Sequence, residues 1–347
     1  MEIEEMDDLI INHKDSDVLD SKGTLIQIED EESLASDILN VIFDKRRLLP
    51  DQDIAEVDED EERKIHLEKI LSFVKARETI QMVLPAFPVK SPNRNKTLAH
   101  LPDYAERHAF QQLSDLSDEI KSIYSPGVEI SICSDGRVFS DLLRISDEDV
   151  TAYGDTLRTM VEDAHPGTFT FFNLDKVYNS LSCFETMRED LMVSYGETLS
   201  DLIYRTRTEP HAKSMYLGIT RFIFEDFSGI DPFKSLARNA IQKASKLVSY
   251  RVIQRSNAWS RLLKEHFPQA VRLSIHPQFR VSEKIGIYLG DAENAWVTPW
   301  HAVAVVDDDR VSFMKRSDAE SQPDVLLAYH DGRPSHFVRQ TQLERAS

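Results

Sequence analysis

Three short apolar runs in the first half of the chain alternate with segments of helical periodicity, and this alternation restricts the fold more than any other feature. The runs cover residues 82–87, 128–133 and 168–172. Helices are predicted between them, over residues 102–124 and 146–164. Strands that alternate with helices are typical of a parallel sheet with crossover helices. We therefore predict an α/β fold with a Rossmann-like, mainly parallel sheet.

The chain divides into an acidic extension and one large domain. Residues 1–62 are predicted to form an N-terminal extension with one helix, because apolar residues recur at helical spacing over residues 32–49. Residues 63–347 are predicted to form a single α/β domain. Its parts are a doubly wound half, a mostly helical insertion, and a region of C-terminal strands and tail, at residues 63–183, 184–268 and 269–347.

The C-terminal region contains three further strand-like runs, at residues 271–275, 285–289 and 302–306. The last two resemble a hairpin pair bridged by a long loop, which contains Trp296 and Trp300. The pattern leaves open whether this pair joins the main sheet.

The net charge of −19 lies almost wholly in the N-terminal segment. The first 62 residues carry 22 acidic and 5 basic side chains, whereas the rest of the chain carries 38 and 36. Such acidity disfavours nucleic acid and anionic lipid as partners. No apolar run approaches the roughly 20 residues of a membrane span, and the acidic start MEIEEMDDL is unlike a signal peptide. We expect a cytoplasmic protein.

Common cofactor and metal motifs are missing from the sequence. No GxGxxG follows a strand, and neither a GxxxxGK[ST] loop, HExxH nor GxSxG occurs. The two cysteines, Cys133 and Cys183, do not approach the spacing of a zinc site and are most simply buried thiols. The eleven histidines are scattered. The sequence therefore predicts a site without metal or cofactor.

The loop after the first strand, residues 87–97 (FPVKSPNRNKT), is rich in cations and amides. Lys90, Ser91, Asn93 and Lys96 lie in it among prolines that stiffen the backbone. A rigid loop loses little entropy when it binds a ligand, and lysines hold phosphate by charge-assisted hydrogen bonds. These four residues are predicted to bind an anion. The alternative is that the lysines are solvated at the surface.

A second polar cluster, residues 134–141 (SDGRVFSD), follows the second strand. Open α/β sheets bind ligands at the carboxyl ends of their strands, so both clusters are expected in one site. Arg137 matches a carboxylate, or shares the phosphate. Asp135 is a candidate general base, provided that its surroundings raise its pKa. The alternative is that Asp135 and Arg137 form a structural ion pair.

Two histidines, His276 and His301, also sit at the ends of strand-like runs: His276 directly after residues 271–275 and His301 directly before residues 302–306. Histidine is the side chain best suited to proton transfer near neutral pH, so both are candidate acid/base residues. Trp300, together with Trp296, is a candidate wall of an aromatic pocket. The alternatives are that each histidine caps a loop or satisfies a buried carbonyl, and that the tryptophans only pack.

Several of these segments, taken in order, resemble the isocyanide (isonitrile) synthase family, which includes the pyoverdine and paerucumarin biosynthesis enzymes and the spore-wall dityrosine proteins of yeast. The resemblance rests on FPVKSPNRNKT, SICSDGRVFSDLLRISDEDVTAYG, LSIHPQFRVSEKIGIYL and TPWHAVAV. It runs from about Leu84 to Phe313. The motifs show no evident loss of a charged member, so an active enzyme is expected.

The resemblance implies a reaction and a role for each candidate residue. The α-amino group of an aromatic amino acid becomes an isocyanide, with ribulose 5-phosphate as the carbon donor and with no metal or nucleotide. The phosphate would be held by Lys90, Asn93 and Lys96, and the amino-acid carboxylate by Arg137. The protons would be carried by the remaining three residues: Asp135, His276 and His301.

Tyrosine is the expected substrate, and tryptophan is the alternative. Two other interpretations are the N-formylation of tyrosine, as in dityrosine biosynthesis, and a non-catalytic sensor of a sugar phosphate. An iron- and 2-oxoglutarate-dependent oxygenase is the pathway partner that the resemblance implies. A homodimer is left open.

Overall fold

The computed structural model describes residues 18–19, 25–26, 31–49, 59–181, 183–290, 297–308 and 310–340. The strands in this part of the chain are β1 (Val18–Leu19), β2 (Leu25–Ile26), β3 (Ile80–Leu84), β4 (Val128–Cys133), β5 (Phe169–Phe172), β6 (Val271–Ser274), β7 (Lys284–Gly286), β8 (Val303–Asp307), β9 (Arg310–Met314), β10 (Val325–His330) and β11 (Arg333–Arg339). The helices are α1 (Glu31–Asp44), α2 (Glu59–Ala76), α3 (Tyr104–Ile123), α4 (Gly136–Phe139), α5 (Asp147–Ala164), α6 (Leu174–Val177), α7 (Phe184–Tyr195), α8 (Leu199–Thr208), α9 (Pro210–Phe227), α10 (Arg238–His266) and α11 (Arg316–Glu320).

The main sheet confirms the predicted α/β class. Its five strands have the order β5-β4-β3-β6-β7, and every neighbouring pair is parallel. Helix α3 connects β3 to β4, and helix α5 lies between β4 and β5. The chain runs outward from β3 in one direction and later returns to its other side as β6. The strand order therefore reverses next to β3, and such a reversal opens a crevice at the carboxyl edge of a sheet.

Side chains at the helix starts explain why α3 and α5 begin where they do. Asp103 and Glu106 form a reciprocal capping box at the start of α3. Ser146 caps α5, because its hydroxyl accepts a hydrogen bond from the Asp149 amide at 3.1 Å, as its position in the sequence predicts.

Two apolar clusters cover the two faces of the main sheet. One contains buried residues of α1, α2, α3 and α5, and the other contains buried residues of α7, α9 and α10. Met82 and Val83, which are successive residues of β3, belong to opposite clusters, as the alternation of side chains along a strand requires. The predicted helical insertion thus forms the layer on one face of the sheet.

Helix α1 lies in the core of the domain, although its composition places it in an acidic extension. Its apolar side chains Ala35, Ile38, Leu39 and Ile42 have no exposed surface and belong to the main cluster. The acidic residues Glu31 and Glu32 lie in its first turn, where they stabilise the helix dipole. Net charge thus describes only the solvent face of this helix.

The segment after α1 binds to the main sheet by backbone hydrogen bonds. The Arg47 amide donates to the Gly286 carbonyl at 2.7 Å, and the Gln278 amide donates to the Arg47 carbonyl at 3.1 Å. Glycine is required at position 286, because a Cβ there would lie 2.3 Å from the Arg47 carbonyl oxygen. Residues 45–49 therefore belong to the same folded unit as β7.

The predicted hairpin of the C-terminal region is wrong. Strand β7 pairs in parallel with β6, and β8 lies in a second sheet of order β10-β11-β8-β9. In that sheet β8 is antiparallel to β9 and parallel to β11. Strand β8 is buried because its Ala304 packs against Ala105 of α3. The loop residue Trp296 lies outside the described residues.

Within the described part of the chain, no helix has both the length and the apolar character needed to cross a membrane.

The burial of α1 leads to a stability prediction. Ile38→Ala should lower the free energy of unfolding by about 2–5 kcal/mol, because it leaves a cavity in the core. Asp37→Ala, an exposed change in the same helix turn, should alter it by no more than about 0.5 kcal/mol. Urea unfolding of both variants measures the difference. A negligible effect of Ile38→Ala would show that α1 is a tether outside the core.

Candidate active site

The two polar clusters predicted from the sequence meet at the carboxyl edge of the main sheet. Residues 87–97 follow β3, and residues 134–141 follow the neighbouring strand β4. The Ser134 hydroxyl donates to the Phe87 carbonyl at 3.1 Å. Gly136 permits this close approach, because a Cβ there would lie 2.1 Å from the Pro88 carbonyl oxygen.

Lys90 is fully engaged inside the protein. Its Nζ lies 2.9 Å from an Asp103 oxygen and 2.9 Å from a Glu106 oxygen, and it donates to the Pro299 carbonyl at 3.0 Å. An ammonium has three donors, and these contacts use all three. Lys90 is neither the solvated surface lysine of the alternative interpretation nor an ammonium free to bind phosphate. It connects the 87–97 loop to the start of α3 and to the turn before His301.

The other predicted anion-binding residues hold the 87–97 loop against α9. The Ser91 hydroxyl donates to Asp226 at 2.9 Å, and the Asn93 amide nitrogen donates to the Glu225 carbonyl at 2.8 Å. The Lys96 ammonium lies 2.7 Å from the same Asp226 oxygen and 4.1 Å from the Phe222 ring centroid. The structure therefore gives these residues partners within the protein.

Arg137 also has partners within the protein, and Asp135 is not one of them. Its guanidinium donates to the Thr151 hydroxyl at 2.7 Å, and its Nε lies 3.6 Å from Asp175. Its guanidinium carbon lies 3.8 Å from the Phe184 ring centroid. The structure thus does not form the Asp135–Arg137 ion pair of the alternative interpretation.

The three predicted acid/base residues differ from the cations, since the cations form ion pairs and these three side chains form none among the described residues. Asp135 and His301 are half-buried and His276 is exposed, yet all three lie deep within the protein. The Nδ1 atom of His301 is buried without a hydrogen-bond partner.

Burial shifts the pKa of each of these residues toward its neutral form. It raises the pKa of Asp135 to about 7, because no cation compensates the carboxylate. Burial, followed by the charge of Arg47, lowers the pKa of His276 to about 4. Burial, with the charges of Lys96 and Lys90, holds the pKa of His301 well below its usual range. At neutral pH both imidazoles are therefore neutral, and Asp135 is near its midpoint.

Trp300 is a packing residue in this structure. Its side chain is buried, and its ring meets the Phe87 ring edge to face with centroids 5.2 Å apart. The aromatic ring next to His301 is instead that of Phe222, and the two ring centroids lie 4.0 Å apart. Phe222 belongs to α9, in the helical part of the chain, and the sequence did not single it out.

Two basic residues near His276 were missed in the sequence. Arg47 donates to the Ile275 carbonyl at 2.7 Å, and Lys284 begins β7. The charges of both lower the pKa of His276, after the larger effect of burial. Lys284 lies in the motif VSEKIGIYL, which resembles the family, but that motif does not reveal where its side chain points. Arg47 belongs to the segment that appeared to be an extension.

The candidate site combines Asp135, His276 and His301, which form no ion pair among the described residues, with cations that are paired. A carboxyl with a pKa of about 7 can accept and return protons near neutral pH. Across the described residues, no group of three or more histidine, cysteine, aspartate or glutamate side chains is arranged to hold a metal ion.

Comparison with known proteins identifies a class of enzymes. An L-tryptophan isonitrile synthase of Fischerella ambigua (strain UTEX 1903) is 41% identical over 324 residues, which cover 90% of this chain and 94% of that protein. An L-tyrosine isonitrile synthase of Pseudomonas aeruginosa is 39% identical over 313 residues, which cover 88% of this chain and 94% of that protein.

The solved structure of the PvcA protein from Pseudomonas aeruginosa has the same fold. It superposes with a TM-score of 0.82 at 39% identity, and the match covers 88% of this chain and 99% of that one. Residues 70–326 match the family described as pyoverdine/dityrosine biosynthesis protein. The chain belongs to this family, which confirms the resemblance seen in the sequence.

The raised pKa of Asp135 leads to a prediction about stability and pH. Because the folded protein holds the Asp135 proton more tightly than the unfolded chain, stability falls as the pH rises from about 4 to about 7. Asp135→Asn removes this loss and should raise the free energy of unfolding by about 1 kcal/mol at pH 8. The gain should shrink at pH 4. Urea unfolding at pH 8 and pH 4 measures the change in the free energy of unfolding for Asp135→Asn. An equal gain at both pH values, or a larger gain at pH 4, would contradict a raised pKa of Asp135.

The contacts of Lys90 lead to a second prediction. Lys90→Met should lower the free energy of unfolding by about 3–5 kcal/mol, because it leaves Asp103 and Glu106 buried without a cation. Adding Asp103→Asn and Glu106→Gln should recover much of this loss. Lys246→Met, at an exposed position of α10, is the control and should change it by no more than about 0.5 kcal/mol. Chemical denaturation of all three variants tests the assignment, and wild-type stability of Lys90→Met would refute it.

Proposed function

We propose that this protein is an isonitrile synthase, which converts the α-amino group of L-tyrosine into an isocyanide with ribulose 5-phosphate as the carbon donor. The observation that carries the proposal is the meeting of the two polar clusters at the carboxyl edge of the main sheet in a member of this family, with Asp135, His276 and His301 as the candidate acid/base residues. The named activities of the bacterial relatives support the reaction class.

The chemistry needs groups that move protons several times. The substrate amine adds to the C2 ketone of the sugar phosphate and loses water to form an imine. Proton shifts, loss of phosphate and cleavage of the carbon–carbon bonds at C2 then release the isocyanide. The substrate ammonium must lose a proton before its amine can attack the ketone, and a carboxyl near its midpoint both donates and accepts protons near neutral pH. Asp135 meets this requirement, and we propose His276 and His301, whose imidazoles are neutral at neutral pH, as the other two proton-transfer residues.

The cations have a different part in the proposed reaction. Lys96 is the cation that acts most strongly on His301. After burial, its charge is the largest cause of the lowered pKa of that histidine. It remains the proposed phosphate contact of the 87–97 loop. The two loops at the carboxyl edge of the sheet are held in place by the contacts described above, which are made by Ser91, Asn93, Lys90 and Arg137.

The choice of amino acid is part of the proposal. The relatives include L-tyrosine isonitrile synthases of Pseudomonas aeruginosa and Xenorhabdus nematophila and L-tryptophan isonitrile synthases of Fischerella ambigua. Their identities to this chain range only from 35% to 41%. Identity therefore does not decide between the two, and we propose tyrosine as the first substrate to test and tryptophan as the second.

A labelling experiment tests the proposed function. The pure protein is incubated with ribulose 5-phosphate, isotopically labelled at C2, and with tyrosine or tryptophan in separate reactions. The expected product is the isocyanide of tyrosine, with the label in the isocyanide carbon, as measured by mass spectrometry. Asp135→Asn should lower the rate by about 100-fold or more, the usual contribution of a general acid or base.

Two outcomes would contradict the proposal. Direct formation of N-formyl-tyrosine would indicate an N-formylating enzyme. Unaltered substrates, together with thermal stabilisation of the protein by ribulose 5-phosphate, would indicate a sugar-phosphate sensor.

Lys243→Gln, which changes an exposed side chain of α10, is the matched control for Asp135→Asn and should leave the rate unchanged.

A further inference from the structure

Phe222 of α9 contacts both a candidate proton-transfer residue and a cation of the 87–97 loop. Its ring centroid lies 4.0 Å from that of His301, and the two ring planes meet at 89°, which is an edge-to-face arrangement. The Lys96 ammonium lies over the same phenyl ring, 4.1 Å from its centroid. One aromatic side chain therefore packs against both groups.

The position of Phe222 is fixed by the side of α9 that faces the 87–97 loop. Asp226, one turn later in this helix, accepts a hydrogen bond from the Ser91 hydroxyl at 2.9 Å and lies 2.7 Å from the Lys96 ammonium. Residues four apart lie on the same side of a helix, so Phe222 and Asp226 both face this loop. Successive turns of α9 thus place a phenyl ring and a carboxylate next to the same ammonium.

The imidazole of His301 lacks the hydrogen bond that usually orients a proton-transfer histidine. In such residues the second ring nitrogen is bonded to a carboxylate or a carbonyl, which fixes the plane of the ring. The Nδ1 atom of His301 is buried without a hydrogen-bond partner among the residues that the structure describes. The orientation of the imidazole therefore depends on packing. The Phe222 ring is in contact with it, whereas the Trp300 centroid lies 6.4 Å away.

We propose that Phe222 is a positioning residue for His301, whose ring plane and burial it fixes by edge-to-face packing. The inference rests on the proposed function, in which His301 transfers protons. It gives a role to a residue that neither the sequence patterns nor the family resemblance singled out. Phe222 acts through His301 and takes no part in bond making.

The kinetic test removes the ring and leaves the rest of α9 intact. Phe222→Ala and Phe222→Leu should each lower the kcat of isocyanide formation by about 10- to 100-fold, the usual effect of misplacing a reacting group. The KM of each substrate should stay within about threefold, because binding is not affected. Phe222→Leu fills more of the space than Phe222→Ala, so it keeps the test valid if the alanine variant is unstable.

Two further variants are the controls of this test. Phe222→Tyr keeps the aromatic ring and should retain a kcat within about threefold of the wild type. Leu217→Ala changes an exposed apolar side chain of the same helix and should leave kcat and KM unchanged. Melting temperatures of all variants establish that each is folded at the assay temperature.

NMR titration of the His301 imidazole tests the inference without turnover, so it is separate from the proposed function. The signal is assigned by its loss from His301→Gln. Burial is the largest cause of the lowered pKa of His301, so the wild-type ring should stay neutral above about pH 5. Phe222→Ala admits water to the ring and should raise the titration midpoint by about one pH unit or more.

The charges around His301 are the same in the wild type and in these variants. Those that act on its pKa come from the 87–97 loop and from the end of β6, and their own partners come from α9 and α3: Lys96, Lys90 and His276, with Asp226 next to Lys96 and with Asp103 and Glu106 next to Lys90. A shift of the midpoint in Phe222→Ala therefore reports the lost burial of the ring. It supports the inference even if the wild type forms no isocyanide.

Three outcomes would overturn the inference. A wild-type kcat in folded Phe222→Ala, or an unchanged titration of His301 in that variant, would mean that the ring has only a packing role. A raised KM for tyrosine with an unchanged kcat would mean that Phe222 lines the amino-acid pocket instead. An equal loss of kcat in Phe222→Ala and Phe222→Tyr would mean that the aromatic ring does not position the histidine.

Discussion

The buried contact of Lys90 with Asp103 and Glu106 is the interaction on which the geometry of the site depends. It joins three segments that are distant in the sequence: the loop after β3, the start of α3 and the turn that carries His301. A lysine without surface exposure is tolerable only because two carboxylates and a carbonyl surround its ammonium. The same two side chains form the capping box of α3, so helix initiation and loop placement depend on the same pair of carboxylates.

Charge is distributed in the site according to a simple division. The cations of the two polar clusters lie next to carboxylates of the protein, whereas Asp135, His276 and His301 form no ion pair among the described residues. These buried ion pairs fix the loops at the edge of the sheet, because separating a pair would leave a buried charge without a partner. Burial is therefore the dominant effect on both Asp135 and His276. It raises the pKa of the carboxyl and lowers the pKa of the imidazole, and each shift favours the neutral form. Rigidity and reactivity thus come from different side chains.

Local patterns in the sequence were enough to predict the layers of the domain and the edge that carries the site. The parallel sheet follows from the alternation of apolar runs and helices, and the cap at Ser146 follows from its position. Asp135, His276 and His301 were singled out because they sit at the ends of strand-like runs, and their acid/base roles stay a prediction. Three features were out of reach, because each depends on contacts between distant segments. The carboxylates that neutralise Lys90 come from α3, the partner of β8 comes from the C-terminal end of the described chain, and the burial of α1 is hidden by its charge.

The docking of the Arg47 segment connects the order of folding to the completion of the site. Arg47 and the carbonyl that it binds, that of Ile275, are 228 residues apart in the sequence. Contacts of such separation close large loops and form slowly compared with local ones. During synthesis the segment leaves the ribosome long before β6 and β7 exist, so its partner is available only when most of the chain has been made. The surroundings of His276 are therefore completed only when this early segment contacts the late strands β6 and β7. The geometry of the candidate site thus depends on the folding of the whole domain.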